Sequence, residues 1–108
     1  MKTEDIKKAF FEVILDLNEK KGGKIFINDL EAEVINYACL FCILNPQMDV
    51  DKVADFFTKI AVESFPEYDE SYALVGRSSI KQNLKWHGMK DFLIKYYKNN
   101  HNININLP

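Results

Sequence analysis

Apolar residues recur at three- and four-residue spacing at the start of the chain, at Ile6, Phe10, Val13, Ile14 and Leu17, the pattern of a helix with one buried stripe. Thr3 is a suitable N-cap, and Glu4 and Asp5 place negative charge on the first turn. Lys20 and Lys21 suit the last turn, and Gly22-Gly23 offers a left-handed stop. The pattern predicts a helix over about 4–21.

Lys24 to Ile27 is short and rich in β-formers, and Asn28 with Glu31 three residues later is an analogue of a capping box, so a second helix is expected to begin near Asp29. From Leu30 to Leu44 that helix is apolar on most sides, through Val34, Ile35, Tyr37, Ala38, Leu40, Phe41 and Ile43, and must be surrounded by protein. It is either the central helix of the domain or the face toward a second subunit, and Asn45-Pro46 ends it. Asp49 caps a third helix lined by Val53, Phe56, Phe57, Ile60 and Ala61, which Phe65-Pro66 closes.

The acidic stretch Glu63 to Glu70 reads as a surface loop entering a short turn at Tyr72, Ala73 and Leu74, with Gly76 as a breaker and Ser78 or Ser79 capping a fourth helix that carries Ile80 and Leu84. Continued to Lys98, that helix would set Ile80 and Leu84 opposite Trp86 and Leu93, so a break at His87-Gly88 and a last helix over 89–98 are expected, with Met89, Phe92, Leu93 and Tyr96 on one face. The end of the chain alternates strictly, with Ile103, Ile105 and Leu107 on one side of Asn102, Asn104 and Asn106. It reads either as a frayed Asn-rich end or as a strand paired with 24–27.

The fold class expected is all-α: a compact bundle of four or five helices with a minor two-stranded β annex of 24–27 with 103–107, organised as one helical domain over 1–98 and a tail or short strand over 99–108.

Charge changes this picture most. Residues 1–76 hold eight Lys against fifteen Asp or Glu, a net of −7, whereas 77–108 hold Arg77, Lys81, Lys85, Lys90, Lys95 and Lys98 against Asp91 alone, a net of +5. Such a polarised field steers an anionic partner, or another copy of the chain, onto one end. Lys outnumbers Arg thirteen to one beside eleven Ile and ten Asn, the bias of AT-rich coding DNA, which fits a low-GC bacterium, its phages or mobile elements, or an AT-rich eukaryote or virus. Because bidentate reading of guanine prefers Arg, sequence-specific DNA recognition is disfavoured.

The longest apolar stretch, Val34 to Leu44, is well short of the roughly twenty residues of a bilayer span, so no membrane association is expected. The first residues lack the apolar core of a signal segment, and two cysteines make no disulfide framework, which together predict a cytoplasmic location.

Cys39 and Cys42 have C-x-x-C spacing, but they lie about three turns into an apolar helix, away from the helix N-terminus or cation that would activate a thiol; they are expected to be core residues. His87 and His101 do not supply a zinc-finger spacing. Ala73, Gly76, Ile80 and Leu84 superficially match a helix-turn-helix, with barely one turn of first helix and an acidic loop before it. No phosphate loop, H-E-x-x-H helix or G-x-S-x-G elbow occurs. The chain is therefore expected not to be an enzyme, with no catalytic, metal or cofactor residue.

The favoured reading is a non-enzymatic protein-binding module, a small adaptor, inhibitor or regulatory subunit, with self-association into a homodimer as a sub-hypothesis. The alternative is sequence-independent nucleic-acid binding by stacking and phosphate contact. Both use one candidate surface: Arg77, Lys81, Lys85, Trp86 and Lys90.

Overall fold

Five helices follow one another along the chain: α1 (Thr3–Lys20), α2 (Ile27–Leu44), α3 (Val50–Ser64), α4 (Glu70–Lys85) and α5 (Met89–His101). The computed structural model describes residues 2–20 and 27–108, and among these there is no strand. The expected all-α bundle of four or five helices is what forms.

The apolar circumference of α2 explains its place. It packs against α1, α3 and α4, and residues 36 to 42 are all buried. Each large side chain removed from water there contributes about 1.5–3 kcal/mol. Rings join the layers: Phe10 of α1 meets Tyr37 of α2 and Phe57 of α3 at centroid separations of 5.5 and 4.9 Å, and Tyr37 meets Tyr97 of α5 edge-on at 5.2 Å. With α2 covered by its own chain, its apolar surface does not require a second subunit.

The ends of the helices follow side-chain chemistry with two revisions. Asp49 caps α3, its Oδ1 accepting the Asp51 amide at 2.9 Å. Thr3, expected to cap α1, instead donates its hydroxyl to Asn45 Oδ1 at 2.7 Å, which ties the start of α1 to the end of α2. The expected stop at Gly22-Gly23 lies outside the described residues.

The larger revision is α4. The loop expected over 63–70 is present but narrower, at 65–69, and in place of a short turn and a break at Gly76 one helix runs from Glu70 to Lys85 with Gly76 inside it. Asp69 starts it: its Oδ1 accepts the Ser71 amide at 3.0 Å and the Ser71 hydroxyl at 2.6 Å. The Ser71 and Tyr72 bonds hold this carboxyl below its ordinary pKa. Gly76 stays helical because α2 and α4 converge on it: a Cβ there would lie 2.5 Å from Glu31 Oε1 and 2.7 Å from the Tyr68 hydroxyl. The two-helix premise of a helix-turn-helix disappears with the break.

The break at His87-Gly88 is present, with α4 ending at Lys85 and α5 starting at Met89. Helix α5 continues to His101, three residues beyond the expected end, and stops at Asn102, which takes a left-handed conformation (φ 54°, ψ 39°) that Asn tolerates better than most residues.

The chain after it is neither frayed nor a strand. It runs back beside α5 until the Pro108 carbonyl accepts the Lys90 ammonium. Ile105 is buried, Ile103 and Leu107 pack partly against the core, and Asn104 and Asn106 face water. The alternation was correctly read as one apolar side, but helices cover it. The β annex is corrected accordingly: 103–107 pairs with no strand, Ile27 belongs to α2, and 24–26 lie outside the described residues.

Candidate functional site

Along α4, Arg77, Lys81 and Lys85 repeat every four residues and so form one stripe. Its first two members turn toward carboxylates. Arg77 Nη2 donates to Glu70 Oε1 at 2.8 Å, and its Nε lies 3.6 Å from Asp55 Oδ1 on α3. Lys81 pairs with Asp51 on the same helix. Two of the five candidate residues thus clip α4 to α3.

The stripe changes character where α4 ends. Lys85 is exposed and makes no ion pair among the described residues, and Trp86, the next residue, is 47% exposed. Its indole packs over Gly88, where a Cβ would come within 2.6 Å of the ring, and against Phe92 of α5 at a centroid separation of 6.0 Å. Phe92 is 43% exposed and leads on to the half-buried Tyr96 at 6.1 Å. Lys90 points elsewhere, to the carbonyl of Pro108.

The structure therefore brings together Lys85 and Trp86 and adds Phe92 and the exposed Lys95, which sequence reasoning did not include in the patch. Phe92 shares a helix stripe with Met89, Leu93 and Tyr96, so its pattern suggested core; Met89 and Leu93 are buried, whereas Phe92 sits at the stripe's edge.

A second region lies at the other end of α5. A groove of about 680 Å³ runs between α1, the start of α2 and the end of α5, with Glu12, Asp16, Asp29, Glu33, Tyr96 and His101 among its walls. Glu33 is buried; its Oε1 accepts the Tyr96 hydroxyl and lies 3.0 Å from His101 Nε2. Burial, then the Glu33 carboxylate, pushes the Tyr96 phenol well above its ordinary pKa, and burial with Glu33 and Glu12 does the same to Tyr37. A carboxylate orienting an imidazole is part of a general-base arrangement, but the described residues lining the groove include no Ser, Thr or Cys as a nucleophile. The cluster fastens the end of α5 to α2.

The two cysteines are buried on α2, and Cys39 Sγ donates to the Ile80 carbonyl at 3.7 Å. Burial pushes the Cys39 thiol up to about 12 and the Cys42 thiol up to about 11, the opposite of what a redox pair needs. Among the described residues no three His, Cys, Asp or Glu are grouped to hold a metal ion, and no helix is long and apolar enough to cross a membrane.

Comparison of the chain with protein families, with curated proteins and with solved structures finds no match.

Proposed function

We propose that this chain is a non-enzymatic protein-binding module, a small cytoplasmic adaptor, inhibitor or regulatory subunit, that meets its partner at the α4–α5 corner around Trp86 and Phe92. The observation that carries this reading is the division of the basic stripe. Arg77 and Lys81 pair with Asp55, Glu70 and Asp51, so a polyanion would have to compete with these carboxylates to reach them. What the corner presents is an exposed indole and phenyl ring seated against each other and against a glycine. Fixed aromatic anchors with a polar surround are the usual energetic centre of a protein contact.

The alternative, sequence-independent nucleic-acid binding through Arg77, Lys81, Lys85, Trp86 and Lys90, draws its support from the same two rings as a stacking platform beside the exposed Lys85.

Trp86 is the only tryptophan, so its emission reports on the corner without a label. Titration with single-stranded DNA, duplex DNA and RNA at low salt and at about 0.2 M salt separates the readings. The protein-binding reading expects flat signals and, from a photo-crosslinking residue at position 92 in host extract, adducts to protein that Trp86→Ala removes. Saturable quenching by nucleic acid that fades with salt would replace it with the alternative.

A further inference from the structure

Two exposed surfaces of this chain complement each other. The outer side of α1 carries Phe11 and Leu15, 45% and 62% exposed, with Phe11 also meeting Phe56 of α3 edge-on at 6.5 Å and with Glu12 and Glu19 exposed beside them. Glu4, Asp5 and Asp16 are exposed on the same helix against Lys8, so this apolar pair has an acidic surround. At the α4–α5 corner the half-exposed pair is Trp86 and Phe92, with Lys85 and Lys95 exposed around it against Asp91. Glu12, Glu19, Lys85 and Lys95 make no ion pair among the described residues.

The acidic stretch 63–70 is a poorer counterpart for the basic corner, because Glu63 faces Lys59, Asp69 caps α4 and Glu70 holds Arg77.

We propose that the partner is a second copy of this chain, the outer face of α1 in one copy seating on the Trp86 and Phe92 corner of the next. This rests on reading the corner as a protein contact. Because the two faces differ, one such contact per copy repeats head to tail into a ring or chain, and two copies that exchange both faces reciprocally close as a two-fold dimer.

The test is sedimentation velocity of the purified chain from low to high micromolar concentration at low salt, with Trp86 emission read alongside. The expected result is a mass above that of a monomer that rises with concentration, accompanied by a blue shift of Trp86. The pair Lys85→Glu with Lys95→Glu, and separately Glu12→Lys with Glu19→Lys, should each weaken association by about tenfold or more. An equimolar mixture of the two variants should restore it, since each reversed face then meets an opposite charge. All four positions are exposed, so far-UV circular dichroism of both variants should be native.

A monomer throughout the range, association indifferent to both reversals, or a mixture that fails to restore it would each overturn the inference. A monomeric chain whose position 92 crosslinks to a different protein overturns this inference and leaves the protein-binding reading standing. Salt-labile quenching by nucleic acid overturns both.

Discussion

The seam between α2 and α4 and the corner between α4 and α5 each turn on a glycine, and the two glycines behave oppositely. Gly76 lies inside an unbroken helix, buried, with the Glu31 carboxylate and the Tyr68 hydroxyl filling the space a side chain would take. Gly88 is the N-cap of α5, two residues past the Trp86 C-cap of α4, and the space beside it holds the half-exposed Trp86 indole. Both residues have the same intrinsic cost in a helix, about 1 kcal/mol relative to Ala. At the seam, packing of the surrounding helices overrides that cost. At the corner α4 has already ended at Trp86, and Gly88 caps α5 instead of lying inside a helix. The seam closes the interior, whereas the corner leaves a ring half exposed.

The contrast is sharpest in reactivity. If α2 is as closed as Cys39 and Cys42 imply, iodoacetamide should label both thiols at least about a hundredfold more slowly in the native chain than in urea, while a soluble quencher should reach Trp86 in the native state. Fast native labelling would break the comparison on its interior side.

Gly76→Ala sets two effects against each other. Alanine gains about 1 kcal/mol of helix propensity. Against that, its Cβ would lie 2.7 Å from the hydroxyl of a fully buried tyrosine ring, which cannot swing into solvent. A net loss of about 1–2 kcal/mol in urea denaturation is expected. A gain in stability would show that the seam is looser than described.

Burial pushes the Glu31 carboxyl above the ordinary carboxylate range, an effect the Tyr68 hydroxyl partly offsets. The native state then holds this proton more tightly than the unfolded chain. Its contribution to stability is present in acid and is lost as pH rises through the raised pKa. Glu31→Gln should flatten that decline in urea midpoints measured between about pH 4 and 7. An unchanged slope would locate the pH dependence elsewhere.

Tyr97 is fully buried, and its hydroxyl has no hydrogen-bond partner among the described residues. Tyr97→Phe removes a desolvated group and leaves the ring contacts, so thermal denaturation should show no loss and up to about 1 kcal/mol of gain. Gly88→Ala is expected to have the smallest effect on stability, a few tenths of a kcal/mol, because the φ of −84° suits any residue and the half-exposed indole can move into water. Its mark is spectral: Trp86 emission should shift to the red as the ring leaves Gly88 and Phe92.

Much of the architecture was legible because helices announce themselves locally. The stripe from Ile6 to Leu17, the all-round apolar α2, the Asp49 cap and the break at Gly88 rest on spacing, capping chemistry and register within a few turns. The first half of α4 was not legible, because a helix through Gly76 needs Tyr68 and Glu31 in place around it. The tail was half legible: alternation identifies the apolar side of an extended segment but not whether a strand or a helix covers it. The candidate surface divided likewise, since its cations could be counted but the carboxylates that occupy Arg77 and Lys81 could not be located, and Phe92 could not be told from its buried neighbours.

The sequence by itself determined five amphipathic or apolar stretches, most of their ends and a charge imbalance between the two parts of the chain, because hydrophobic period, caps and net charge are properties of neighbouring residues. Only the tertiary structure decided that Gly76 stays helical, that the C-terminal alternation packs on helices, and which lysines and rings remain exposed. Those outcomes depend on residues far apart in the chain, Asp51 with Lys81 or Glu31 with Gly76, competing for the same space and charge.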